Sequence, residues 1–379
     1  MELKKQNQVF AVVLLLIAAL ACNRFSNPTS NTQNQTENSN DKPAEVTKPK
    51  RDPNEKIFRG FISTAKGIQT IQMKLKRNGD QLTGSYYYIK IAKDISLKGS
   101  IDNQKKFKIE ETSDGKVTGI FTGDWKESND EYAVMLEGTW KKDAKGEENG
   151  FNAVEQVIEA NRGDIQTKSR SEADKKKKIT ISANYPELKN FENDTEAINK
   201  SLASVVDKAI ANFKSDLDCS ELTNLECSLD INFDTTFADD DFVSIRFEMY
   251  EYSGGAHPNS YSLSHTYNLK SGKEIKLADL FKTNSNHLKK LSDYCYESLK
   301  KQLTKLAEGE PPDEEMLRGG TEPNDENYSG WNITKKGLLM SFDPYQVAAY
   351  AYGPQQVIIP YSVLKEIARE DGALANFVK

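Results

Sequence analysis

Apolar residues are spread unevenly along the chain, and their spacing changes from one region to the next. From Ile57 to about Glu155 they alternate with polar residues in short runs, the period of half-buried strands. A small unit recurs there, an aliphatic residue, a spacer, Gly, a spacer and a large apolar residue. The copies are Leu82–Tyr86, Leu97–Ile101, Val117–Phe121 and Leu136–Trp140, at intervals of roughly 15–20 residues. Ile71, Met73 and Leu75 alternate in one strand, and Asn78-Gly79 and Ser113-Asp114-Gly115 supply hairpin turns. The internal Gly of each copy permits a bend or a close approach of backbones where the sheet curls. An antiparallel β meander or small barrel is expected over 57–155.

From about Gln156 to Lys178 the chain turns polar and ends in ADKKKK, which reads as a linker. The period then changes. Ile179 to Leu188 is a strand running into a turn, and Asp194 is placed to cap a helix. The apolar face of that helix is Ile198, Leu202, Val205, Val206, Ile210 and Phe213. Strands follow at 231–237, 242–252 and 261–269, the last strictly alternating, which puts His265 on the apolar face as a core histidine. A long amphipathic helix spans about 286–306. Pro311-Pro312 and Gly319-Gly320 mark a loop, short strands follow at 331–333, 338–342 and 356–359, and a last helix lies near 361–370. Residues 179–379 thus form an α+β domain with an antiparallel sheet, and the fold class is mixed.

The amino terminus differs from both regions. Lys4 and Lys5 precede the apolar run Phe10–Ala21, too short for a membrane-spanning helix, and Cys22 follows at once. Small Ala19 and Ala21 before Cys22 resemble a bacterial lipobox, although Leu is more usual where Ala19 stands. That resemblance implies a signal peptide over 1–21, lipidation of Cys22, a membrane partner through the lipid anchor, and an extracytoplasmic folded part in the cell envelope. Residues 22–56 are rich in Asn, Thr, Ser, Pro and Lys, and read as a disordered tether with a reach of roughly 30–35 Å.

Composition narrows the function. Lys+Arg 51 against Asp+Glu 57 gives a net charge of −6, which argues against a nucleic-acid partner. Hydrophobic residues make up 37%, and the deficit falls in the tether, the linker and the loops. His257, His265 and His287 lack metal-site spacing, so no metal and no cofactor is expected. Cys219 and Cys227 are close enough for a local disulfide, with Cys295 left over on the apolar side of the long helix, although pairing of Cys295 with either stays open. Gly254-Gly255 allows a tight loop that presents His257 and Asn259, either as a ligand contact or as a loop held by its own backbone bonds. Tyr86–Tyr88, Trp125 and Trp140 either line a sugar-stacking face or fill the barrel with Tyr87 alone outside. Asp239–Asp241 and the acidic run 308–315 are loops able to steer a basic partner. No catalytic residue set is placeable, so a binding protein is expected rather than an enzyme. The alternative is a wall-active enzyme with His257 as acid/base.

An ordered set of segments resembles a known family. It comprises ITISANYPEL at 179–188, Tyr252 to Asn259, Tyr267 to Phe281, Gly337 to Tyr345, Tyr352-Gly353 and Val357 to Tyr361, about half the chain. These segments are similar to the extracytoplasmic RsiV-type and PdaC-type domains of bacterial envelope proteins. The resemblance implies an α/β module. In the RsiV type the module binds lysozyme for an anti-sigma factor, and in the PdaC type it precedes a peptidoglycan deacetylase domain. Neither an anti-sigma segment nor a deacetylase domain is expected here, so the resemblance implies the fold more than the task. Lysozyme or a wall polymer such as peptidoglycan are the partners it implies.

Overall fold

The computed structural model describes residues 51–379, apart from 66, 128–130, 143–145, 216 and 223–224. The expected leader, Cys22 and the tether up to Lys50 lie outside the described residues. The fold is an antiparallel barrel followed by an α+β domain.

Eight strands form the barrel: β1 (Glu55–Thr64), β2 (Gly67–Asn78), β3 (Gln81–Tyr88), β4 (Ile95–Ile101), β5 (Lys106–Ser113), β6 (Lys116–Lys126), β7 (Met135–Lys141) and β8 (Asn149–Gln156). Each pairs with the next, and β8 closes on β1 with Ile57 opposite Gln156 and Ser63 opposite Gly150. The last residues of the expected tether are ordered here. Arg51 donates to Gly163 O (2.9 Å), and β1 begins at Glu55. Alternate residues point inward, so Phe58, Met73, Tyr86, Phe107, Phe121, Trp125 and Phe151 fill the interior. Their rings meet edge to face, as in Phe121–Phe151 at 4.9 Å, the geometry the ring quadrupole favours. The repeated glycines are there for close approach. A Cβ at Gly84, Gly99 or Gly138 would run into the carbonyl oxygen of the adjacent strand, at Lys74, Lys108 and Thr122 respectively.

The α+β domain contains β9 (Asp164–Asp174), β10 (Ile179–Lys189), α1 (Glu196–Lys214), β11 (Cys227–Ala238), β12 (Phe242–Tyr252), β13 (Asn259–Asn268) and β14 (Lys273–Glu274). They form one six-stranded sheet in the order β14-β13-β12-β11-β10-β9. Two expectations change here. The stretch 156–178 holds β9, paired along its whole length with β10, where a polar linker was expected. As a solvent-exposed edge strand of Thr, Lys, Ser and Glu it has no apolar phase to betray it. The sheet also has one parallel joint, β10 with β11, because α1 carries the chain back to the end where β10 began. Asp194 accepts from Glu196 N at the helix start (2.9 Å), while Thr195 occupies the cap position. Ile198, Leu202, Val206, Ala209, Ile210 and Phe213 are buried against the sheet. Full burial of each large apolar side chain contributes about 1.5–3 kcal/mol.

The remainder comprises α2 (His287–Leu306), α3 (Glu314–Thr321), β15 (Trp331–Ile333), β16 (Gly337–Phe342), β17 (Gln355–Pro360) and α4 (Tyr361–Leu364). Strands β15–β17 form a second, antiparallel sheet. The expected loop at Gly319-Gly320 is helical. Asp313 caps α3 by accepting from Glu315 N and Met316 N, and Gly320 lies so close to Gln346 O that a side chain would clash.

The barrel is docked on the larger sheet. Beyond β8, Val157 N donates to Thr235 O (3.0 Å) and Ala238 N to Val157 O (2.8 Å). Arg59 of β1 is buried, donates to Phe233 O, and lies 4.0 Å over the Phe233 ring. On the same side, Asn332 of β15 donates to Ser244 Oγ and Ile245 O, both at 3.0 Å.

Candidate functional site

Alternation in β11 and β12, up to a bulge at Thr235–Phe237, divides the six-stranded sheet into two chemistries. Leu229, Ile231, Val243, Ile245, Phe247 and Met249 are buried in the core that includes α1. The opposite phase is polar: Asp230, Asn232 and Asp234 on β11 lie directly across from Tyr250, Glu248 and Arg246 on β12. Ser260, Ser262 and Ser264 of β13 continue the same face.

Part of that polar face is tied down. Asn184 donates to Asn232 Oδ1 (3.0 Å), and Ser169 donates to Asn184 Oδ1 (2.7 Å). Asp234 accepts from Tyr132 OH and from Gln156 Nε2, both at 3.2 Å. Arg246 pairs with Glu248 and lies 3.7 Å from Asp234. Burial opposes the charge on Arg246, but its acidic neighbours outweigh burial and raise its pKa.

The rest of the polar face meets two loops. Gly254 turns the β12–β13 hairpin at φ 97°, a conformation that favours glycine. Gly255 does not use that freedom, and a Cβ there would meet only His257 O at 3.9 Å. The hairpin presents His257 to solvent. Its ring stacks on Tyr350, with centroids 4.0 Å apart. Its Nδ1 lies 2.9 Å from Pro258 O and its Nε2 lies 3.4 Å from the Tyr345 hydroxyl. The second loop, between β16 and β17, carries Asp343, Tyr345 and Tyr350. Asp343 Oδ1 accepts from both the backbone N and the hydroxyl of Ser262, each at 3.0 Å. Tyr350 donates to Pro258 O (2.6 Å), which pins the loops together. Tyr345 is 53% exposed and sits at φ 70°, an outlier for a bulky side chain.

Titration follows burial. Asp230, half-buried with no charged partner, is pushed up to about 6 by desolvation. Tyr250 rises to about 12, through burial first and then through Tyr350 and Asp230. Burial also raises Asp343, against the bonds from Ser262.

The structure places the residues expected from sequence as follows. Gly254, Gly255, His257 and Asn259 share the hairpin, and Asn259 opens β13 opposite Glu251. Cys219 and Cys227 are bonded, with Cα atoms 6.1 Å apart, away from the stack but below the hairpin: Leu222 of that loop packs where a Cβ on Gly254 would reach it at 3.3 Å. Cys295 is buried and free on α2. His265 is 20% exposed and bonds Glu274 at 2.5 Å. Tyr86 and Trp125 are inside the barrel. The acidic runs are engaged locally: Asp239 accepts from Asp241 N and Phe242 N, Asp241 pairs with Lys270, and Glu314 with Arg318. No group of three or more possible metal ligands occurs among the described residues. Sequence reasoning missed Asp230, Tyr250, Asp343, Tyr345 and Tyr350 as site residues. The available signal was the polar phase of strands whose apolar phase had been read.

Two family models match this region. Residues 172–260 match the one described as Deacetylase PdaC, and residues 278–362 the one described as Protein of unknown function (DUF3298). The chain is 31% identical over 197 residues to the peptidoglycan-N-acetylmuramic acid deacetylase PdaC of Bacillus subtilis (strain 168), covering 51% of this chain and 40% of that protein. The match therefore spans less than half the length of that relative. Among solved structures, a DUF3298 family member from Bacteroides fragilis NCTC 9343 is 19% identical, with a TM-score of 0.42, covering 57% of this chain and 96% of that one. A DUF3298 family protein from Pseudomonas aeruginosa PAO1 is 14% identical with the same TM-score of 0.42, covering 55% and 94%.

Proposed function

We propose that this is a cell-envelope binding protein that holds a wall polymer of the peptidoglycan type against the polar face of its six-stranded sheet. The observation that carries the proposal is the His257–Tyr345–Tyr350 stack beside that face. Flat rings offer an apolar surface to the C–H faces of sugars, and their polar edges stay hydrated. The Ser, Asn and Asp groups next to them are the donors and acceptors that sugar hydroxyls require. The match to a peptidoglycan deacetylase supports a wall-polymer ligand. Binding is favoured over acid–base chemistry because the ring nitrogens of His257 face Pro258 O and the Tyr345 hydroxyl, and no carboxylate among the described residues bonds the imidazole. Lysozyme is the less favoured ligand, since Asp239, Asp241 and Glu314 of the acidic runs that would attract it are each bonded locally.

Anchoring through an acylated Cys22, with the folded part outside the cytoplasm, belongs to the same proposal. No helix among the described residues is long and apolar enough to cross a membrane. Substituting Cys22→Ala should release the protein from membranes; unchanged retention rejects the anchor. For the ligand, the chain is mixed with purified peptidoglycan or with lysozyme at low and high salt. Co-sedimentation with peptidoglycan at both salt levels is expected. Binding to lysozyme alone, lost at high salt, would replace the polymer with a basic protein.

A further inference from the structure

Asp230 stands out on the polar face. Its neighbours there have bonded partners, Asn232 in Asn184, Asp234 in Tyr132 and Gln156, Arg246 in Glu248 and Asp343 in Ser262, although Arg246 keeps a buried, unbonded Nε. Asp230 is half-buried and has no hydrogen-bond or ion-pair partner among the described residues. A carboxylate partly withdrawn from water without a partner is destabilising in its charged form, so its presence calls for an explanation. One phenol ring adjoins it, and a second lies beyond that one. Tyr250 is its direct cross-strand partner, and the Tyr250 hydroxyl feels both Asp230 and Tyr350 electrostatically. Tyr350 in turn carries the His257 stack, so the carboxylate sits at the inner end of the aromatic surface.

We propose, building on the wall-polymer reading above, that Asp230 with Tyr250 and Tyr350 receives a protonated primary amine carried on the glycan, a sugar whose amino group is free rather than acylated. An ammonium supplies the donors and the charge that Asp230 lacks, and aromatic faces beside it add cation–π attraction. An acetamido group in the same place brings no charge and a single N–H donor, against three donors and a full charge from the ammonium. Arg59 and Arg246, the cations on this face, are engaged with Phe233 O and with Glu248 and Asp234, and do not supply the missing charge.

Protonation sets the pH window. Across the sheet Asp230 lies between Tyr250 on β12 and Ser182 on β10, and burial, with no charged neighbour, governs its titration. Burial alone lifts Asp230 to about 6. Preference for the amine should therefore be strongest above that value, while the amine is still charged, and fade as pH falls through it.

The test uses the full chain in calorimetric titrations near pH 6.5, with three probes. They are a fully de-N-acetylated β-1,4-glucosamine hexasaccharide, its N-acetylated counterpart and an oligolysine peptide. The free-amine sugar should bind at least roughly tenfold more tightly than the acetylated one. Asp230→Asn should erase that preference while leaving acetylated-sugar affinity intact and the fold at least as stable as the parent, and Tyr350→Phe should keep it. Equal affinity for the two sugars, or a preference that survives Asp230→Asn, overturns the amine site while leaving polymer binding standing. Failure of both sugars and of purified peptidoglycan overturns both proposals. Oligolysine binding as tight as the sugar, and equally sensitive to Asp230→Asn, overturns the glycan as carrier.

Discussion

The two faces of the six-stranded sheet share the same backbone and differ in what covers them. On one, Leu229, Ile231, Val243, Ile245, Phe247 and Met249 are buried in the core formed with α1. On the other, one residue out of phase, lie Asp230, Asn232, Asp234, Arg246, Glu248 and Tyr250. The first face needs only complementary shape and hydrophobicity. The second needs polar groups to find partners: Asn232, Asp234 and Glu248 do, Arg246 leaves its Nε buried and unbonded, and Asp230 has no hydrogen-bond or ion-pair partner among the described residues. Stability is thus concentrated on one face of β11 and β12, while unmet chemistry is concentrated on the other.

The contrast is broken most severely from the apolar side. Leu202 is fully buried on α1, and Leu202→Ala should destabilise the chain by about 2–5 kcal/mol in denaturant titrations. A loss under 1 kcal/mol would mean that α1 is not anchored as described. Next comes the Cys219–Cys227 bond, which spans a separation of 8 residues. In the chain-entropy account its reduction should cost about 2–3 kcal/mol, small because the loop is short. Since Leu222 of that loop packs against Gly254, reduction should also speed hydrogen exchange in the 253–258 hairpin. Exchange that is unchanged there would uncouple the two loops.

Substitutions on the polar face should act in the opposite direction. Asp230 titrates near 6 when folded, above its ordinary value, so the folded chain holds a proton that the unfolded chain releases between about pH 4 and 6. Its destabilising effect is full above about 6 and absent below about 4. Asp230→Asn should therefore stabilise the chain at pH 7, by about 1–2 kcal/mol after allowance for solvent, and do nothing at pH 4. A loss of stability at pH 7 would show that the carboxylate has a partner. Tyr345→Gly should have the smallest effect. Removing a bulky side chain from φ 70° offsets the lost ring contacts, leaving stability within about 1 kcal/mol of the parent while polymer binding falls.

The same division explains what could be read from the residues alone. The apolar positions of the strand repeats, such as Leu82, Leu97 and Leu136, and the α1 stripe from Ile198 to Phe213 announce burial, because burial has a period. Strand β9 carries no apolar phase and was legible only as polar chain; its pairing is backbone to backbone with β10. The site was half legible. Gly254 and His257 stood out as an unusual loop. Tyr345 and Tyr350 reach His257 across 88 and 93 residues of sequence, and nothing local announces that meeting. Asp230 looked like any outward polar residue of a strand, since only the folded sheet shows that it is partly buried beside Tyr250 with no bonded partner among the described residues.

The most direct measurement compares the two faces in one peptidoglycan co-sedimentation experiment. Tyr345→Ala/Tyr350→Ala removes the aromatic surface beside the polar face, while Lys200→Ala/Lys208→Ala alters only the solvent side of α1. The first pair should lose at least roughly tenfold in bound fraction at limiting polymer, and the second should bind as the parent does. Equal binding by both pairs, or loss by the α1 pair alone, would contradict a wall-polymer site on the polar face.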